Sequence, residues 1–141
     1  MRRRLTLRLF PVCVAALFVS PADAFAQDTA AAEAAATAWL AQVDAGRYGD
    51  SWTSAGATFK QAVTQEKWQE AVKRVRDQVG TLKSRTKKSA VPATNPPGAP
   101  AGEYVVFQFT SVFEQRATAT ETVTAVHETD GTWRIVGYFV Q

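Results

Sequence analysis

The chain has 141 residues, 46% of them hydrophobic, with 16 Lys+Arg against 13 Asp+Glu and a single cysteine. This is the composition of a folded globular chain, not a disordered one. Four arginines (Arg2, Arg3, Arg4, Arg8) and Asp23 fall within the first 26 residues. The remainder balances 12 basic against 12 acidic residues and gives no whole-domain attraction to nucleic acid or an anionic membrane.

The N-terminal arginines precede a short apolar run, Leu9 to Ser20, and the small-residue pattern Ala24-Phe25-Ala26. This is the layout of a secretory signal peptide spanning residues 1–26, with cleavage expected after Ala26 and a second site at Ala22-Asp23-Ala24. The run is shorter than the about 20 residues a bilayer-spanning helix needs, so no transmembrane segment is expected after cleavage. Phe10-Pro11-Val12 before Cys13 lacks the Leu and small residues of a lipidation signal. Cleavage would remove that cysteine, excluding disulfides, thiol chemistry and Cys-based metal sites from the exported chain. The expected location is periplasmic or secreted. Residues 27–141 suffice for one domain burying about 65% of its unfolded surface.

The first element is expected to be a helix over Thr29–Ala45. Asp28 or Thr29 can cap it, alanines favour it, and Gly46 stands where it should end. Ala32, Ala36, Trp39 and Val43 share one face of it. A short helical piece, Ser51–Ala62, carries Trp52 and Phe59. Thr64 opens a longer helix, Gln65–Val79, with the stripe Trp68, Ala71 or Val72, Val75 and Val79, and Gly80 closes it. The period then changes to two. Thr81–Val91 reads as a weak strand and Pro92–Gly102 as a stiff loop. Glu103–Phe113, Thr118–Glu128 and Thr132–Gln141 read as three strong strands. Helices followed by an antiparallel meander of about four strands make an α+β fold, with N-terminal helices packed on a curved sheet.

Register decides which side chains meet. A three-residue loop at Thr129-Asp130-Gly131, with Gly131 left-handed, sets His127 opposite Trp133 and Ala125 opposite Ile135. An odd-length loop in the preceding hairpin sets Phe109 opposite Val123 and Phe107 opposite Ala125. One face then collects Val105, Phe107, Phe109, Phe113, Val123, Ala125, Trp133, Ile135 and Phe139 toward the helices. The other collects Tyr104, Val106, Gln108, Thr110, Thr120, Thr122, Thr124, Arg134, Val136 and Tyr138, a surface suited to water or a second subunit.

Only Ser111, Glu121 and His127 are strongly polar on the helix side. Glu121, opposite Ser111 and among phenylalanines, is either a desolvated carboxylate with raised pKa, fit for general-base work, or a residue near a strand end that reaches solvent or pairs with an arginine from the helices. His127 lies six residues from Glu121, about 20 Å along a strand, too far for a dyad. One histidine without cysteine does not supply a metal site. There is no phosphate-binding glycine loop or dinucleotide fingerprint, so no cofactor is expected. Lys73 to Lys88 holds seven basic residues and one acid. Lys83, Arg85 and Lys87 project to one side of a strand, either toward an anionic envelope component or as protection of a sheet edge.

Four segments carry a family likeness: WLAQVDAGRYGDSW, FKQAVTQEKWQEAVKRVRDQVG, PPGAPAGEYVVFQFTSVFE and ETVTAVHETDGTWRIVGYFVQ. Together they resemble an exported bacterial family known as domain of unknown function 4019, over roughly Ala36 to Gln141. That resemblance implies no activity and transfers no catalytic residues. The order of elements also resembles the nuclear-transport-factor-2-like, or cystatin-like, roll, whose members include dehydratases, isomerases and non-catalytic ligand-holding or dimerising domains. The leading expectation is a non-enzymatic binding or interaction domain of the cell envelope. A small apolar ligand or envelope protein would meet Trp39, Trp68, Phe107, Phe109, Trp133, Tyr104 and Tyr138, and the outer sheet face would support a homodimer. Two alternatives stand beside it. One is a small lyase or isomerase using Glu121 with Tyr104, Ser111 or His127; the other is an anion binder using Lys83, Arg85 and Lys87.

Overall fold

The computed structural model describes residues 20–141. The arginine cluster, the apolar run and Cys13 lie outside the described residues. The described helices are α1 (Pro21–Asp44), α2 (Tyr48–Thr53), α3 (Ala57–Ala62) and α4 (Gln65–Val79). The strands are β1 (Leu82–Thr94), β2 (Glu103–Phe113), β3 (Arg116–His127) and β4 (Trp133–Val140). They form one antiparallel sheet in the order β1-β2-β3-β4, with the helices packed on one face. This is the α+β arrangement the sequence pattern predicts. No helix among the described residues is long and apolar enough to cross a membrane.

Helix α1 starts eight residues earlier than expected. Ser20 is extended and Pro21 takes the first turn, where its fixed φ and missing N–H cost nothing. Thr29 does not cap the helix; its hydroxyl donates back to the Phe25 carbonyl at 3.0 Å. Both expected cleavage points therefore fall inside α1. Ala32, Ala36, Trp39, Leu40 and Val43 make its buried stripe. The expected single piece Ser51–Ala62 is broken in two at Gly56, whose N–H donates to the Ile135 carbonyl of β4 at 2.8 Å. In α4 the Thr64 hydroxyl accepts from Lys67 N–H, and Gly80 ends the helix at φ +77°.

Strand β1 runs on through Pro92 to Thr94 instead of stopping at Val91. It is the edge of the sheet, where a missing N–H need not break a ladder. Its register shifts twice, between Leu82 and Ser84 and between Lys87 and Ser89, so Lys83 and Lys88 are bulged out of the pairing. The loop that follows folds over the outer face. Tyr104, expected on an open surface, is buried beside Val126 and donates its hydroxyl to Pro100 O at 2.8 Å.

The β2–β3 register lies two residues from the expected one. Phe109 faces Glu121, Phe107 faces Val123 and Val105 faces Ala125. The connection after Phe113 is only Glu114-Gln115, which alone would put the faces out of phase. An irregularity between Ser111 and Phe113 adds the missing residue and restores the parity. The β3–β4 turn matches expectation, with His127 opposite Trp133 and Gly131 at φ +82°. Beyond Ile135 it does not. A bulge at Val136 shifts the pairing to Thr124–Gly137 and Val123–Tyr138, turning Tyr138 inward and Phe139 outward. Phe139, expected in the core, is 63% exposed. Tyr138, expected outside, packs with Trp39 and Trp68. Val136 also moves, lying against Gly56 on the helix side.

The core is dense and aromatic. Trp39 and Trp68 lie 5.8 Å apart between ring centroids, and Phe59 meets Trp68 edge-on at 4.9 Å. Both indole N–H groups are satisfied by Ser51, Trp39 donating to its carbonyl and Trp68 to its hydroxyl. A methyl group at Gly56 would sit 2.6 Å from Val136 Cγ1 and 2.9 Å from Glu128 Oε1. Gly56→Ala should therefore destabilise the fold by about 1–3 kcal/mol through overpacking, read from denaturant unfolding. An unchanged midpoint would show that the α2–α3 break can move away from β4.

Candidate functional site

Glu121 stands in the middle of β3 with its side chain fully enclosed. Four side chains converge on it. Arg85 of β1 donates through Nε to Oε2 at 2.6 Å and through a terminal nitrogen to Oε1 at 3.1 Å. Ser111 of β2 donates to Oε2 and Tyr138 of β4 to Oε1, each at 2.6 Å. Arg76 of α4 brings a guanidinium nitrogen to 3.7 Å from Oε1. Both arginines continue to Asp44 at the end of α1, Arg76 at 2.6 Å and Arg85 at 2.7 and 3.0 Å. Two cations and two carboxylates close a neutral cluster, and the Arg76 guanidinium rests 5.1 Å from the Phe113 ring centre. Among the described residues, the Nε of Arg76 is buried without a hydrogen-bond partner.

The chemistry of this cluster follows from the balance at each group. Burial pushes the Glu121 carboxyl up, but Arg85 beside it, then the Ser111 and Tyr138 hydroxyls, hold it below the ordinary carboxylate value. Asp44 is likewise pushed up by burial and drawn further down by Arg85 and Arg76. Tyr138 moves the other way. Burial and the adjacent Glu121 charge keep its phenol protonated far above the usual range. The rise expected for a lone desolvated Glu121 is thus reversed. With its lone pairs directed at four donors, Glu121 has no acceptor capacity left facing a substrate. Clefts lie close by, but Glu121 is in the lining of none of those described below.

The other candidates separate. Ser111 serves Glu121. His127 stacks on Trp133 with ring centroids 4.9 Å apart at the far end of β3, 3.7 Å from Glu103. Lys83, Arg85 and Lys87 do not act as one cationic patch. Arg85 turns into the cluster, Lys87 pairs with Glu33 of α1 at 2.6 Å, and Lys83 stands exposed at a bulge. Trp68, Phe107, Phe109 and Tyr138 are core. Trp133 and Tyr104, with an edge of Trp39, remain beside open space.

Several clefts surround this framework. One, about 450 Å³, lies where α1 and α4 end and is walled by Asp44, Arg76, Asp77 and Glu114. Two others run along α1. One of about 310 Å³ is bounded by Ala35, Ala38, Trp39, Trp133 and Ile135. The other, about 210 Å³, is bounded by Phe25, Pro92, Tyr104, Val105 and Trp133. Half-buried Trp133 stands in the wall of both.

Removing one member of a buried ion cluster leaves the others uncompensated, a loss of about 3–5 kcal/mol. Glu121→Gln should reach that range in urea unfolding, and a drop within measurement error would mean that water reaches Arg85. The folded cluster also binds fewer protons than the unfolded chain, because Glu121 and Asp44 are held below their ordinary values. Its stabilising effect is present above about pH 4 and is lost as pH falls through the depressed folded values. Melting temperature measured against pH should show that acid limb in the wild type and a shallower one in Glu121→Gln.

Two comparisons with known proteins return nothing: no curated protein and no solved structure matches this chain. A family model described as protein of unknown function (DUF4019) matches residues 35–138, from the middle of α1 to the inward-turned Tyr138. The match takes in the whole charge cluster, the aromatic core and both α1 clefts except the first turns of the helix, and the chain belongs to that family.

Proposed function

We propose that this protein is an exported, non-enzymatic domain of the cell envelope that holds a small apolar ligand against Trp133. The observation that carries this reading is the place of that indole, half-buried in the wall shared by two clefts that combine apolar and aromatic side chains with a smaller number of polar ones. Such clefts bind by shape and desolvation, with a few polar groups setting orientation. Asp28, Thr29 and Glu103 in one cleft and Gln42, Ser54 and Arg134 in the other supply those groups at the rims. The enclosed carboxylate that would have made the domain a lyase or isomerase is committed to Arg85, Ser111 and Tyr138, which favours binding over catalysis.

Export bears directly on the site. Pro21 and Phe25 form part of the wall of the 210 Å³ cleft, and both precede Ala26. Cleavage there would remove this part of the wall and widen access to Tyr104, Val105 and Trp133. The processed form would then bind what the precursor cannot.

Two measurements test the reading. Intact mass of the protein recovered from the periplasm or medium should correspond to a chain starting at Gln27; a retained N-terminus would refute the export step. Anilinonaphthalene sulfonate should bind the processed protein saturably. Trp133→Ala should weaken that binding roughly tenfold, about 1.4 kcal/mol of lost aromatic contact, measured below the melting temperature of the variant so that only folded protein is compared. Binding indifferent to Trp133→Ala would overturn the ligand site.

A further inference from the structure

The two edges of the sheet are built differently. Strand β1 has Lys83 and Lys88 at bulges, Lys87 between them and Pro92 further on, devices that discourage another strand from pairing. Strand β4 has none of these past Val136. From Ile135 to Gln141 there is no charged side chain and no proline. Its first half is covered, since Gly56 N–H donates to Ile135 O. Its second half is not. Thr120 and Gln141 exchange both main-chain hydrogen bonds, at 2.8 and 2.9 Å. In an antiparallel ladder such pairs alternate, so Phe139 is also bonded to β3 while Tyr138 and Val140 direct N–H and C=O away from it. None of those four groups has a hydrogen-bond partner among the described residues. Between them sits Phe139, 63% exposed on the outer face.

We propose that a second copy of this chain pairs antiparallel with this half of β4, across a two-fold axis at Phe139. In that register Tyr138 N–H donates to the partner's Val140 carbonyl and Val140 N–H to the partner's Tyr138 carbonyl. Symmetry repeats both bonds and the two sheets become one of eight strands. Phe139 meets the partner's Phe139 as a non-hydrogen-bonded pair, the closer kind, with Cα atoms about 4.5 Å apart. A two-fold sets every residue near the axis against its own kind or a close neighbour, so a charge there would repel its copy. The absence of charged side chains from Ile135 to Gln141 suits the strand to self-pairing. The lysines of β1 make the same arrangement unfavourable on the other edge. The contact is small, so dimer and monomer exchange with concentration.

Light scattering after size exclusion should show a dimer fraction that rises with protein concentration. Phe139→Lys, on a side chain already in solvent, should keep the circular dichroism spectrum and weaken association about tenfold or more. In a Cys13→Ser background, Phe139→Cys should form an intermolecular disulfide on mild oxidation, because the axis brings the two Cα atoms within bridging range. Val91→Cys, 55% exposed on the opposite edge strand, should not. A protein that stays monomeric at every soluble concentration overturns the proposal. So does a dimer that tolerates Phe139→Lys, or a Phe139→Cys chain that fails to cross-link. The cross-link decides the matter even if the lysine variant folds poorly.

Discussion

A carboxylate enclosed in an aromatic core is tolerable only if its charge is answered, and the fold is arranged around answering Glu121. The idealised desolvation cost of such an ion is of order 20 kcal/mol, and several kcal/mol persist after relaxation. Arg85, Arg76, Ser111 and Tyr138 meet that cost from four separate elements, and Asp44 balances the second arginine from a fifth. Each donor is productive in one position of its element. A slip of β1 by one residue would turn Arg85 to the other face and leave Arg76 to answer both Glu121 and Asp44. Buried ion pairs often add little net stability compared with apolar replacements of like volume. Here the contribution is one of register and docking, fixing where α1 and α4 end relative to the sheet.

The bulge at Val136 is the second determinant, and it acts on both faces. Without it Tyr138 would lie outside and Phe139 in the core, Glu121 would lose a hydroxyl donor, and Trp39 and Trp68 would lose their edge-on partner. With it, the interior gains a phenol that can serve both the aromatic cluster and the carboxylate. The surface receives a phenylalanine in exchange, next to main-chain groups with no partner among the described residues. A single inserted residue thus links completion of the charge cluster to an exposed apolar position on the sheet edge.

Much of this was legible in the chain. Period-two strands, a left-handed Gly131 and the Trp39 and Trp68 stripes lead to the α+β layering and to the inward side of Phe107, Phe109, Val123 and Ile135. The early start of α1 at Pro21, the break at Gly56 and the run of β1 through Pro92 depend on tertiary context, and the shifts in side-chain direction come from bulges, which insert a residue without changing composition. Val136 looks like any strand valine, and the shift near Val112 hides inside an uninterrupted run of strand formers. The charge cluster left a clearer trace. Arg76 interrupts the stripe Trp68, Val72, Val79 on α4, and Glu121 interrupts the apolar row of β3. Two opposite charges that each break an apolar face are natural partners, since neither can be buried alone. Asp44, just beyond the α1 stripe, follows once a second arginine needs a counter-charge.

The same reasoning separates structural polarity from functional polarity. A group kept for reaction must retain an unused lone pair or proton facing open space, and its pKa is brought toward the working pH. Glu121 and Asp44 are driven away from that range by arginine contact, and Tyr138 is driven away by burial beside a carboxylate. The cluster has the electrostatics of a joint. Trp133 presents the opposite case: partial exposure, with Asp28, Glu103 and Arg134 at the rims, and space on two sides that the core has no need to leave open. Close packing elsewhere makes that space informative, because a core that seats Trp39, Trp68, Phe59 and Tyr138 in mutual contact could have closed over Trp133 with one larger residue at Ala35 or Ala38. Small side chains at those two positions keep the indole accessible, and accessibility is what a binding wall requires.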